Sequence, residues 1–71
     1  MGDSPEKPKT GNVQVLERAF DLLETLAQSR EPMGLSALAT QTAMSKSTVH
    51  RILATMLERD YVTKTLNGAY A

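Results

Sequence analysis

Polar side chains are concentrated in the segment TQTAMSKSTVHRIL, residues 40–53, which contains six hydroxyl or amide side chains and two cationic ones but no acid. Lysine and arginine neutralise phosphates, and hydroxyl groups donate hydrogen bonds to phosphate oxygens. The backbone N–H groups at the start of a helix also favour an anion. This segment therefore has the groups needed to bind a nucleic-acid backbone.

Catalysis and metal binding find little support in the same segment. Ser47 and His50 are three residues apart on a predicted helix and resemble a nucleophile with a base, but no orienting carboxylate or oxyanion site accompanies them. His50 has no nearby cysteine or carboxylate ligand, and the chain has no cysteine at all. We therefore expect a protein that is not an enzyme and needs no cofactor or metal.

Length and composition favour one small binding domain. The chain has 71 residues, with eight basic and eight acidic side chains, so its net charge alone gives no support to nucleic-acid binding. The charge is nevertheless unevenly distributed along the chain, with a net charge of −2 over residues 13–29 and +2 over residues 45–71. The sequence has no apolar run of the roughly 20 residues that span a bilayer, and its start lacks a hydrophobic signal. We expect a soluble, cytoplasmic protein.

Residues 1–11 are mostly polar and contain two prolines and two glycines, so we predict a disordered tail followed by a domain over residues 12–71. A first helix is predicted from a cap at Asn12 to about Ser29. Two sets of apolar residues occur on it. The expected core face consists of Leu16, Ala19, Phe20, Leu23 and Ala27, and the residues that widen it are Val15, Leu22 and Leu26. The wide arc indicates either packing on two sides or contact with a partner.

Two further helices and a hairpin are predicted after Gly34. The second helix spans residues 35–43, and the third begins after a cap at Ser45 and ends near Arg59. Met33 to Leu35 could pair as a minimal strand. The segment YVTKTLNGAYA surrounds Asn67-Gly68, a strong hairpin turn signal. The predicted fold is mainly α with a small β-hairpin, that is, a winged helix-turn-helix with three helices and a two- or three-stranded wing.

The second and third helices have the spacing of a helix-turn-helix. Its predicted framework consists of Ala39, Met44, Val49 and Ile52. With these residues inward, the third helix presents an opposite face that could lie along DNA, formed by Lys46, Ser47, His50, Arg51 and Ala54. Bases could be read by Lys46, His50 or Arg51. In the wing, Lys64 and Asn67 could reach an adjacent groove or the backbone, although Asn67 is also needed by the turn.

The segments LERAFDLLE, LSALATQTAMSKSTVHRILATMLERDYV and GAYA resemble the amino-terminal DNA-binding domain of IclR-type bacterial transcriptional regulators, nearly continuously over residues 13–71. The resemblance implies binding to a double-stranded DNA operator and assembly of the full protein into dimers or tetramers. It also implies a larger carboxy-terminal domain, absent from this chain, that binds a small-molecule effector.

The resemblance also implies individual contacts to DNA. Base or phosphate contacts are implied for Lys46, Ser47, Thr48 and Arg51, with a supporting contact from Ser36 and a backbone contact from Arg18. Structural alternatives stay open for several of these residues. Ser45, Ser47 and Thr48 could cap the third helix, Lys46 and Arg51 could form an ordinary solvated face, and Arg18 could bind Asp21 or a carbonyl group.

Three positions depart from the family pattern. Ala43 and Asp60 stand where the family usually has glycine, and Gly34 replaces the usual hydroxyl cap of the second helix. A left-handed backbone conformation costs a residue with a Cβ about 1 to 2 kcal/mol, so we expect local strain at Ala43. An alternative function remains open as well, in which the domain is a protein-interaction or dimerisation module that uses Leu22 and Leu26.

Overall fold

The computed structural model describes residues 13–71, and these residues form three α-helices. In chain order they are α1 (Gln14–Gln28), α2 (Leu35–Thr42) and α3 (Lys46–Glu58). The bounds of α2 and α3 agree with the predicted helices to within one residue. The predicted tail over residues 1–11 lies outside the described residues.

The start of α1 differs from the prediction. Val13, not Asn12, occupies the N-cap position, and no side chain caps the helix. The Val13 carbonyl instead accepts the N–H groups of Leu16 and Glu17 at 3.0 and 3.1 Å. Asn12 itself lies outside the described residues. The amide side chain favoured Asn12 as a cap in the sequence, whereas the backbone turns into the helix one residue later.

The buried face of α1 also differs from the prediction. Leu22 is fully buried, and Ala19, Leu23 and Leu26 pack against the core beside it. Two residues predicted to be inward, Leu16 and Phe20, are 48% and 51% exposed, and Ala27 is exposed too. The apolar arc of α1 is wider than the surface that α2 and α3 cover, so the sequence pattern alone did not fix which side of the arc is buried.

The core lies where the three helices meet, and the carboxy-terminal segment closes it. Its buried members besides Leu22 are Leu38, Ala39, Val49, Ile52, Leu53, Met56, Val62 and Tyr70. Leu38 and Ala39 come from α2, and the next four come from one face of α3. This packing fixes the rotation of α3 about its axis, and therefore fixes which of its side chains remain outside.

Two sharp turns end α2 and α3 with a left-handed residue. Ala43 has φ 58° and ψ 38°, and Asp60 has φ 65°. The residue after each of them is hydrogen-bonded to the last turn of the preceding helix. Met44 N–H donates to the Ala39 carbonyl at 3.0 Å, and Tyr61 N–H donates to the Met56 carbonyl at 2.9 Å. These are the two positions at which the sequence departs from the family glycine. The strain expected at Ala43 is therefore present in the backbone.

The carboxy-terminal segment is paired through isolated bridges, and the described residues contain no β-strand. Tyr70 bridges to both Met33 and Lys64, and Met33 is the one residue of the predicted strand Met33 to Leu35 that pairs. Thr63 and Ala71 exchange two backbone hydrogen bonds of 3.0 Å. Thr65 N–H also donates to the Ala69 carbonyl at 2.7 Å, so residues 63–65 pair with residues 69–71 over a length too short to form regular strands, and the predicted wing hairpin stays a prediction.

The turn within this segment also lies one residue earlier than predicted. Gly68 N–H donates to the Thr65 carbonyl at 3.0 Å, so Leu66 and Asn67 occupy the centre of the turn. Gly68 follows with φ 87°, a conformation that glycine adopts without steric cost. The Thr65 hydroxyl accepts the Ala69 N–H at 3.0 Å and closes the turn. Leu66, Asn67 and the left-handed Gly68 thus form a three-residue hairpin loop, and pairing continues beyond it from Thr65 and Ala69.

Candidate nucleic-acid interface

The exposed side of α3 is set by its buried side. Val49 and Leu53 are fully buried, and Met56 is 5% exposed. Ile52 is buried on the same side, and because a helix repeats every 3.6 residues, residues on the opposite side of α3 point away from the core. The side chains left exposed on α3 include Lys46, Ser47, His50, Arg51 and Ala54. The predicted outward group is thus brought together on one solvent-facing surface.

The helix-turn-helix framework matches the predicted one. Ala39 is 7% exposed where α2 meets α3, and Val49 and Ile52 are buried on α3. Met44, in the turn between the helices, packs against the core from a half-buried position. A small residue at Ala39 allows the two helices to approach closely. Together these four residues hold α3 against the domain with its polar side outward.

The amino terminus of α3 is capped by a side chain. Ser45 Oγ accepts the Thr48 N–H at 3.1 Å and donates to Thr48 Oγ1 at 2.9 Å. The structural alternative considered for Ser45, a helix cap, is therefore present. The first turn of α3 contains no acidic residue, so the positive end of the helix dipole faces solvent without a competing carboxylate from that turn.

Arg18 on α1 and Thr48 at the start of α3 lie in the same region of the surface. Both residues are half-buried, and both border two shallow clefts between these helices. One cleft also has Glu17 and Asp21 in its lining, so the acidic part of α1 lies beside the helix-turn-helix. Arg18 is thus close to the amino terminus of α3, although two carboxylates share its surroundings.

The second cleft is mostly apolar, and it includes residues that were predicted to lie in the core. Phe20 from α1, Ile52 from α3 and Tyr61 from the following segment line it, together with Arg51 and Arg59. Tyr61 is 63% exposed. No functional role was predicted for Arg59 or Tyr61. Arg59 follows Arg51 by eight residues, a little over two helical turns. This spacing was the signal that could have placed Arg59 on the surface next to Arg51.

The remaining predicted site residues lie on three other segments. Ser36 is exposed in the first turn of α2. Lys64 is exposed, with its Nζ 5.5 Å from the centroid of the Tyr70 ring, which is a cation–π contact. Asn67 is exposed at the centre of the turn. Beside it, Leu66 is fully exposed, an apolar side chain at the tip for which no role was predicted.

Comparison with known proteins agrees with this arrangement. Residues 15–66 match the IclR helix-turn-helix domain. The chain belongs to the IclR family. The predicted family assignment is confirmed, and so is a mainly helical fold with three helices.

The chain is also similar to individual proteins of known name. The chain is 44% identical over 55 residues to the transcriptional repressor IclR of Escherichia coli and to the acetate operon repressor of Salmonella typhimurium. It is 39% identical over 51 residues to the glycerol operon regulatory protein of Streptomyces coelicolor. The matches cover 72–78% of this chain but 20% of each relative. The named relatives are regulators, which is consistent with the expectation that the protein is not an enzyme.

A solved IclR-family structure has the same fold. The crystal structure of an IclR-family protein from Rhodococcus sp. superposes with a TM-score of 0.75 at 33% identity, covering 96% of this chain and 28% of the other. Within the described residues, no helix is long and apolar enough to cross a membrane.

Proposed function

We propose that this domain binds double-stranded DNA sequence-specifically, as the DNA-binding part of an IclR-type transcription regulator, with α3 in the major groove. One observation carries the proposal. The polar side of α3 is held outward by burial of Val49, Leu53 and Met56 on the other side. Thirteen residues of helix extend about 20 Å at 1.5 Å per residue, which is long enough to follow the groove across a half-site.

The exposed residues of α3 divide into two proposed roles. Lys46 and Ser47, in the first turn, bind phosphates together with the free N–H groups of the helix start. His50 and Arg51, one turn further, reach base edges, and the Arg51 guanidinium can bind guanine through two parallel hydrogen bonds. Ala54 contributes no bulk, so the helix can approach the groove floor closely.

Residues outside α3 are proposed to fix the orientation of the domain on the duplex. Arg18 reaches the backbone beside Thr48, and Ser36 contributes from the start of α2. Lys64 and Asn67 contact an adjacent groove or the backbone from the wing. The cation–π contact of Lys64 with Tyr70 supports this role, because it limits the directions available to the ammonium group before DNA binds.

The whole protein is proposed to be a longer cytoplasmic regulator. Its carboxy-terminal part would bind a small-molecule effector and hold two or four DNA-binding domains together, with two copies about 34 Å apart on one face of the DNA. Few cations face the duplex from one copy. We therefore expect the single domain to bind weakly and to gain affinity mainly by pairing.

The test begins with selection of duplex fragments by the 71-residue chain at moderate salt, followed by footprinting. Binding of the selected duplex is then measured by fluorescence anisotropy between about 50 and 200 mM salt. The variant Lys46→Ala should weaken binding and reduce the slope of log K against log salt by about 0.9, because one phosphate contact is lost. Arg51→Ala should weaken binding by about 1 to 3 kcal/mol and relax the sequence preference. Arg30→Ala removes the same charge from the exposed α1–α2 connection and should change none of these quantities.

Two results would contradict the DNA-binding proposal. One is affinity that does not depend on salt. The other is an equal loss for Arg30→Ala and Arg51→Ala, because binding would then depend on total charge instead of on the exposed side of α3.

A second candidate function is self-association through α1, and exposed apolar side chains favour it. Val15, Leu16, Phe20 and Tyr61 are 58%, 48%, 51% and 63% exposed. The residues first considered for this contact were Leu22 and Leu26. Leu22 is fully buried and Leu26 packs against the core, so the contact would use the exposed residues instead.

Sedimentation of the chain and of Phe20→Ser tests this second candidate. Association through the apolar surface should persist at high salt and should weaken on substitution of Phe20, whereas DNA binding should fall with salt. A wild-type chain that stays monomeric at millimolar concentration would argue against it.

A further inference from the structure

The Ser45 hydroxyl makes two hydrogen bonds, and both are to Thr48. Its oxygen accepts the Thr48 N–H at 3.1 Å, which is the bond that caps α3. Its proton is donated to Thr48 Oγ1 at 2.9 Å. Capping requires only the first bond. The second bond uses the Ser45 proton on a neighbouring hydroxyl that lies on the proposed DNA-facing end of the helix.

The Thr48 hydroxyl differs from those of two other helical threonines. Thr42 donates to the Leu38 carbonyl at 2.6 Å, and Thr55 donates to the Arg51 carbonyl at 3.5 Å. In both cases the proton is held by the carbonyl four residues earlier. The corresponding residue for Thr48 is Met44, which lies in the turn before α3. Among the hydrogen bonds of residues 13–71, Thr48 donates no side-chain bond.

A hydroxyl has one proton to donate and two lone pairs that accept. Because Thr48 Oγ1 already accepts from Ser45, its own proton remains for a partner outside the domain. Thr48 is half-buried as a residue, but its bond with Ser45 is exposed, so the hydroxyl can be reached from outside the domain. It lies in the first turn of α3, where acidic side chains are absent and the helix dipole favours an anion.

We infer that Ser45 is a positioning residue for the proposed DNA contact, which orders the Thr48 hydroxyl so that its proton points to a phosphate oxygen. The inference rests on the proposed DNA-binding function. It gives Ser45 a role through Thr48 instead of a direct contact with DNA. It also separates two properties of residue 45, the ability to cap α3 and the ability to donate to Thr48.

Aspartate separates these two properties. It caps helices about as well as serine, but its carboxylate only accepts hydrogen bonds. In Ser45→Asp the cap bond to the Thr48 N–H therefore remains, while the Thr48 proton turns toward residue 45. Ser45→Asp also adds a negative charge near the DNA. The same substitution in a Thr48→Val background measures that charge effect alone, since valine has no hydroxyl.

The experiment is a double-mutant cycle of Ser45→Asp and Thr48→Val, measured by fluorescence anisotropy with a duplex selected by the wild-type chain. We expect Thr48→Val to weaken binding about ten-fold, the size of a lost hydrogen bond to a charged group. We expect Ser45→Asp to weaken binding about ten-fold more when Thr48 is present than in the Thr48→Val background. Ser45→Thr and Thr48→Ser, which keep both hydroxyls, should stay within about three-fold of wild type.

The salt dependence of binding distinguishes the proposed hydrogen bond of the neutral Thr48 hydroxyl from a phosphate contact made by a charged side chain. Thr48→Val should leave the slope of log K against log salt unchanged, whereas Lys46→Ala should reduce it by about 0.9. Thermal unfolding by circular dichroism should show that Ser45→Asp keeps the stability of wild type.

Additive effects of Ser45→Asp and Thr48→Val, or full affinity in Thr48→Val, would overturn the inference while leaving DNA binding intact. A wild-type chain that binds no duplex would instead remove the proposed function and this inference with it.

Discussion

Replacement of Ala43 by glycine should stabilise the domain. Ala43 is the residue after α2 and has a left-handed conformation, φ 58° and ψ 38°. Its side chain is exposed, so removal of the methyl group sacrifices little packing. The backbone bonds of the turn, from Ala43 to Thr40 at 3.3 Å and from Met44 to Ala39 at 3.0 Å, do not involve that methyl group and should persist.

The size of the effect follows from two opposing contributions. Relief of the left-handed conformation favours the folded state by about 1 to 2 kcal/mol. The greater freedom of glycine in the unfolded chain opposes this by about 0.4 to 1 kcal/mol. The free energy of unfolding should therefore rise by about 0.8 kcal/mol, within limits of about 0 and 1.6 kcal/mol, and the central value corresponds to a rise in Tm of roughly 3 to 6 °C for a domain of this size.

Thermal and urea unfolding followed by circular dichroism measure this change. Ala37→Gly is the matched control, because Ala37 is also exposed but lies inside α2. There the same chemical change should lower the free energy of unfolding by about 1 kcal/mol. If both variants lower the Tm, the left-handed conformation of Ala43 carries no strain and the reasoning is refuted.

Three further substitutions test the fold. Leu53→Ala, at a fully buried position, should lower the free energy of unfolding by about 2 to 5 kcal/mol, which urea unfolding would show; a loss below about 1 kcal/mol would contradict its place in the core. Gly34→Asp should raise the Tm by a few degrees, because it adds a cap and a negative charge at the start of α2, where an added Cβ meets nothing within 4 Å; an unchanged Tm would argue against capping. Asp60→Gly should raise the Tm by less than Ala43→Gly, because aspartate tolerates φ 65° better than alanine, and a larger rise in the same melting experiment would reverse that ranking.

The α2–turn–α3 region could be predicted from the sequence because its signals are local. Ser45 is a side-chain cap, and Val49, Ile52, Leu53 and Met56 follow one helical face. Their spacing alone determines which side of α3 is inward, so the exposed position of Lys46, His50 and Arg51 followed directly. Their contacts with DNA remain predictions.

The rotation of α1 and the pairing of the wing depend on distant residues and could not be predicted in the same way. The apolar arc of α1 includes both Phe20 and Leu22, and only the position of α2 and α3 decides that Leu22 is buried and Phe20 is not. The register of the turn near Gly68 was missed for a different, local reason, since the bond from Gly68 to Thr65 places Leu66 and Asn67 at its centre. A dipeptide signal marks such a turn but does not fix its register.

The pairing of Tyr70 with Met33 has a consequence for how the chain folds during synthesis. The two residues exchange backbone hydrogen bonds of 2.9 and 2.7 Å across 37 positions of sequence, and the Tyr70 ring is 3% exposed. A nascent chain on the ribosome can form all three helices before Tyr70 has left the exit tunnel. Until then the connection between α1 and α2 has no backbone partner at Met33, so Tyr70 fastens this connection only after the helices can form.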